Sequence, residues 1–206
     1  MRLVEGVVHV ADGAADADAP AAPDGVPAFD GVDALVTRLG EVGEAHGVTV
    51  QAFDAGLVVD RQHLERAVEL ADRERARGEG IARNRAVEIL LYAAGRRQID
   101  RALGLGVGPD ATPAVVLVDA PPEAASRGDD DRGNEQTDGA AAATDAGETA
   151  AADAVRDLLE PAETLGDYDD GRVREFFDVD EAELAATTAD LPALVRERVA
   201  LLVVNR

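Results

Sequence analysis

Cysteine, tryptophan and lysine are all missing from this 206-residue chain, which has one methionine, two tyrosines and four phenylalanines. Without cysteine there is no disulfide framework and no thiolate metal site. The single serine, Ser126, falls in a stretch with no large apolar residue, so a Ser/His/Asp arrangement has no positioned nucleophile. The three histidines, His9, His46 and His63, are scattered and lack the close spacing of zinc ligands. No run approaches the ~18 apolar residues of a membrane span. Met1–Val10 also lacks the apolar core of a signal peptide. These absences predict a cytoplasmic, non-enzymatic protein with no metal, no cofactor and no membrane partner.

What the chain has in excess is acid. Forty-two Asp and Glu face 20 basic residues, all of them Arg, for a net charge of −22. Such self-repulsion opposes compaction unless salt screens it; at ~1 M the Debye length is about 3 Å. The acidity is therefore read as adaptation to a salt-saturated cytoplasm, with a calcium-binding surface or a nucleic-acid mimic as alternatives. Asp129-Asp130-Asp131 does not have the alternating spacing of a calcium loop.

The length fits a single domain with decoration. From Asp119 to Ala154 the chain has no Val, Ile, Leu, Met or aromatic residue. A segment of that kind cannot bury enough surface to offset the entropy of ordering, so residues 119–154 are expected to be a disordered acidic insertion. Residues 11–25 are expected to be a flexible loop for the same reason. Elsewhere the pattern alternates. Strands are predicted at Arg2–Val10 and Val48–Phe53, with a short one at Gly56–Val59, and a buried one at Pro113–Val118. Helices are predicted at Gly31–His46, from Asp60 as N-cap to about Arg77, at Asn84–Ala94, at Arg96–Leu103, at Ala154–Leu159 and at Leu191–Leu202. The mixture implies an α+β (mixed α/β) fold, a small, mainly antiparallel central sheet flanked by helices.

Gly104-x-Gly106-x-Gly108 follows a helix and lacks the Gly-Lys-Ser/Thr ending of a P-loop, so it reads as a helix stop. One window runs against the acidity. Between Arg73 and Arg101 lie eight arginines against Glu74, Glu79, Glu88 and Asp100, a net of +4. Two readings follow: a contact surface for phosphate or an acidic partner, or local pairing with those carboxylates. A hydrolase built on scattered carboxylates is a third class, unsupported by any ordered nucleophile.

Within and beside that window, Gln51-Ala52-Phe53-Asp54-Ala55, His63-Leu64, Glu88-Ile89-Leu90-Leu91-Tyr92 and Gly95-Arg96-Arg97-Gln98-Ile99 stand in a specific order. Over roughly residues 47–119 the chain resembles the smallest, kinase-binding subunit of the archaeal KEOPS complex, the family of the PRPK-binding protein TPRKB. The resemblance implies a mixed α/β fold with no catalytic site. KEOPS adds threonylcarbamoyl to the adenosine beside the anticodon of ANN-decoding tRNAs. In it this subunit would bind the atypical kinase/ATPase directly and the other subunits indirectly, and archaeal relatives hold the CCA end of tRNA. Carried over by position, Arg83, Asn84, Arg96, Arg97 and Gln98 are the expected tRNA contacts. Ile99 and Leu103 are the expected kinase contacts, with ordinary core as their alternative. A pure protein-binding adaptor without RNA contact is the alternative function. Arg96 and Arg97 together are expected to be surface groups whose loss leaves the fold intact. The acidic insertion departs from the family pattern.

Overall fold

The computed structural model describes residues 1–11, 22–122 and 136–204. Strand β1 (Arg2–Val10) leads through β2 (Ala28–Phe29) to helix α1 (Val32–His46), then β3 (Thr49–Asp54), α2 (Arg61–Ala76), α3 (Arg85–Ala93) and the short α4 (Ile99–Ala102). After them come β4 (Asp110–Asp119), α5 (Gln136–Arg156), β5 (Glu160–Pro161), α6 (Asp170–Phe177), α7 (Glu181–Ala186) and α8 (Leu191–Leu201).

The sheet has the order β2-β1-β4-β3, with β5 also on the outer edge of β1. β1 and β4 pair antiparallel from Arg2↔Val118 to Val10↔Asp110, and β3 pairs antiparallel with β4 from Thr49↔Asp119 to Asp54↔Ala114. Only β2 is parallel to its neighbour. The expected mixed fold with a mainly antiparallel sheet is the one observed.

Alternation along the strands divides the interior in two. Val4, Val8, Val116, Val118 and Val50 point to one face, against Leu35, Leu39 and Val42 of α1 and Ala151, Ala152 and Val155 of α5. Phe53, Val115 and Leu117 point to the other face, the side of Leu64 and Leu70 of α2, Ile89 of α3, and Leu194, Val195 and Val199 of α8. The sheet is thus covered by helices on both faces.

Sequence signals place many of the boundaries. Asp60 caps α2 by accepting from the His63 amide at 2.7 Å. Gly47 closes α1 in the left-handed conformation (φ 66°), and Asp190 caps α8 with Pro192 in its first turn. Gly6 is required by packing, because a Cβ there would lie 2.6 Å from the Glu160 carbonyl oxygen and 2.8 Å from Leu159 Cβ.

Three expectations need correction. The Gly56–Val59 strand is absent: Ala55–Leu57 is a single 3₁₀ turn, started by the Asp54 carboxylate accepting from the Gly56 amide at 2.9 Å. The Arg96–Leu103 helix contracts to α4 plus a 3₁₀ turn over Leu103–Leu105. The disordered span 119–154 does not hold over its described ends, since Asp119 ends β4 and α5 covers the sheet. Alanines at helical spacing give α5 a thin, close-packing face, which a search for large apolar residues misses. Residues 123–135 lie outside the described residues, as do 12–21 of the expected 11–25 loop.

His63 is fully buried and donates from Nε2 to the Ala93 carbonyl at 2.8 Å, with its ring edge-on to Phe177. Burial pushes its pKa below the usual value, outweighing the opposite pull of the Ala93 carbonyl and of Asp60. Below about pH 6.5 the unfolded chain binds a proton on this ring and the folded chain does not, so stability is complete above that pH and lost beneath it. The unfolding free energy from urea titrations should be lower at pH 5.5 than at pH 7.5, with a slope of the sign of proton uptake on unfolding. His63→Gln, which keeps the donor, should remove that one-proton slope; an unchanged slope would place its origin elsewhere.

Candidate functional site

Helix α3 ends in a double hydrogen-bonded turn. The Arg96 amide donates to the Leu91 carbonyl at 3.0 Å and the Gly95 amide to the Tyr92 carbonyl at 2.9 Å, with Gly95 left-handed (φ 59°). A side chain at Gly95 would also press on the Arg198 carbonyl oxygen at 3.3 Å, so glycine lets α8 approach the turn. α4 then lies on the surface, anchored by the buried Ala102 and Leu105. Its outward positions are Ile99 and Leu103, one turn apart and 47% and 56% exposed. They are surface residues, which removes the ordinary-core alternative.

Beside this apolar pair, Arg97, Gln98 and Arg101 are exposed. Together with Arg96, Arg198 and Leu201 they border a shallow cleft of about 410 Å³ between the α3–α4 turn and the end of α8. Arg97 and Arg101 enter no ion pair among the described residues. Arg96 is different. Its guanidinium donates to the Phe176 carbonyl, pairs with Asp178 at 2.9 Å and lies 5.9 Å from the centre of the Phe176 ring. Arg198 donates to the Phe177 carbonyl at 3.3 Å, and its Nη2 reaches both carboxylate oxygens of Glu183 at 2.8 and 2.6 Å. Two arginines therefore hold the open carbonyl end of α6, where the helix dipole favours positive charge.

The structure divides the sequence-derived site. Asn84 is the N-cap of α3, its side-chain oxygen accepting from the Ala86 amide at 2.8 Å. It borders a separate depression with Arg85, Gly43 and Thr49. α3 separates Arg83 and Asn84 from Arg97 by its full length of about 14 Å. Asn84 is thus a helix cap and Arg96 a structural clamp. Arg97, Gln98, Ile99 and Leu103 stay together, and Arg101, which the sequence reading left out of the site, joins them.

The local-pairing reading of the basic window holds for part of it. Arg73 and Arg77 pair with the buried Glu74 at 3.3 and 3.0 Å, and Arg75 donates to the Ala82 and Arg83 carbonyls at 2.9 and 3.1 Å. Arg85 forks onto Asp72 at 2.7 and 2.6 Å and reaches Asp119. Glu88, fully buried, accepts from the Ile81 and Ala82 amides at 2.9 and 2.5 Å and so fixes the loop that enters α3. Arg83, Arg97 and Arg101 are exposed and have no ion-pair partner among the described residues.

Among the described residues no three His, Asp or Glu side chains converge as metal ligands, and no helix is long and apolar enough to cross a membrane. The geometry yields a contrast between neighbours. Arg96→Glu should lower stability by about 1–3 kcal/mol through the loss of its buried and charged partners. Arg97→Glu should leave the thermal midpoint unchanged within error. Equal midpoints for both variants would remove the structural role of Arg96.

A search of the curated proteins found no match for this chain. A family model described as kinase binding protein CGI-121 matches residues 36–202, from α1 through α8. With most of its length matched, including the α3–α4 turn and α8, the chain belongs to the CGI-121 family of kinase binding proteins.

Proposed function

We propose that this protein is a non-catalytic, kinase-binding subunit of a KEOPS complex in a cytoplasm of high salt, with the α4 surface as its kinase contact and the neighbouring arginines as its tRNA contact. The observation that carries the reading is Ile99 and Leu103 standing exposed, one turn apart, beside Arg97 and Arg101, which enter no ion pair among the described residues. Isolated exposed apolar residues are ordinary, but a pair on one helical face next to a cleft is the anatomy of a docking patch with a polar rim. The atypical kinase would seat on this apolar pair directly, with the other KEOPS subunits reached through it.

The tRNA part rests on chemistry. Single-stranded RNA ends present splayed bases and phosphates, which guanidinium planes stack on or fork onto. Arg97 and Arg101 are available for this, and Gln98 has an amide suited to a base edge. Phosphate contacts weaken steeply with salt. An acidic chain working at molar salt would therefore hold a CCA end chiefly by stacking and hydrogen bonds. A second reading, a protein-binding adaptor without RNA contact, is favoured by one observation: Arg83 and Asn84 lie at the far end of α3 from Arg97, so two of the five expected tRNA positions are not in the cleft.

Pull-down with the host KEOPS kinase in molar potassium chloride tests the first part. Ile99→Asp with Leu103→Asp should abolish capture and leave the thermal midpoint unchanged, whereas retained capture would move the kinase contact elsewhere. Gel shift with intact and CCA-trimmed tRNA tests the second. Intact tRNA should bind at least tenfold tighter, and Arg97→Glu should erase the difference; equal binding of both tRNAs would leave the adaptor reading.

A further inference from the structure

One of the arginines that border the cleft beside α4 already holds an anion. Asp178 follows α6 in the left-handed conformation (φ 53°) with its side chain 73% exposed, and its carboxylate pairs at 2.9 Å with Arg96, whose side chain is 22% exposed. Two other ion pairs nearby differ in kind. Arg198 engages both oxygens of Glu183, and Arg172 forms a pair with the buried Asp54. Asp178 binds Arg96 through one oxygen, from solvent, and reaches the cleft only through Arg96, which borders it with Arg97 and Arg101. An exposed pair of this type adds little to stability.

Arg96 is independently positioned by the Phe176 carbonyl, so it does not need Asp178 to stay in place. Gly104 packs on the Phe176 ring, where a built Cβ would lie 3.2 Å from Cε2, tying the same corner to the turn that carries Leu103. Asp100 is an acidic residue on the segment that borders the cleft, and it is exposed with no ion pair among the described residues.

We infer that Asp178 sets the affinity of this cleft for phosphate-bearing ligands: a phosphate of single-stranded RNA exchanges with the Asp178 carboxylate on Arg96, while the Phe176 carbonyl keeps the guanidinium oriented. Asp178 is thus a positioning and specificity-determining residue. It neutralises one of the cleft's arginines when no ligand is present, and it makes every bound phosphate displace an internal anion. The cleft therefore rejects simple carboxylates and lone anions, and it favours a ligand that also engages Arg97 and Arg101. This inference rests on the RNA-binding reading above and deepens it.

The test uses the whole chain and a single-stranded RNA dodecamer ending in CCA, titrated by fluorescence anisotropy. Asp178→Asn keeps the left-handed backbone, which asparagine adopts readily, and removes only the charge. It should tighten binding by about two- to fivefold, the range of one exposed ion pair converted to an affinity ratio. Arg97→Glu should weaken binding, and Arg97→Glu combined with Asp178→Asn should recover part of the loss. Wild-type binding with an Asp178→Asn affinity that is equal or weaker overturns the exchange and leaves the RNA reading standing. No binding by either protein overturns both. Binding by the variant alone supports the exchange, since the native carboxylate then holds the ligand out.

Discussion

Burial of the second half of the central strand governs this structure. Ala114, Val115, Val116, Leu117 and Val118 of β4 are all without solvent exposure, with β1 and β3 paired on either edge. A strand with both faces buried needs a helical layer on each side. The α2–α3–α8 layer provides one from large aliphatic residues. The other is made by α1 and α5, and α5 covers the sheet with alanine and valine. A poor supply of large apolar side chains is thus compensated by close approach, as at Gly147, where a Cβ would come within 2.9 Å of the His46 carbonyl oxygen.

Arginine connects the layers, and the absence of lysine has a structural counterpart. Guanidinium groups fork onto carboxylates and bridge to backbone carbonyls at once, which an ammonium does less specifically. Arg85 joins α2 to the end of β4, Arg75 holds the loop before α3, and Arg96 and Arg198 close the carbonyl end of α6. Buried carboxylates such as Glu88 and Glu74 are satisfied by amides or arginines, as a charge removed from water requires. The excess acid remains on the surface, where salt can screen it.

These commitments shape the surface around α4. Most of the basic window serves the fold, and what remains free is a compact group on α4 and the turn before it. That group combines apolar area with arginines that enter no ion pair among the described residues. Asp178 belongs to the same corner, linked through α6 to the clamps that hold the turn in place.

The amino-acid order by itself determined the class of fold, the caps at Asp60, Gly47 and Asp190, the apolar strand at β4 and the turn that carries Arg96 to Ile99, because these depend on local spacing and on residues within one turn. It also held the family pattern. Tertiary structure alone decided which arginines are free, because pairing partners such as Asp178, Phe176 and Asp119 lie 34 to 82 positions away in sequence. It decided that Ile99 and Leu103 face solvent, since periodicity identifies a face without saying what covers it. It also made a helix of an alanine-rich segment, whose burial depends on a close contact that only the assembled sheet and α1 can offer.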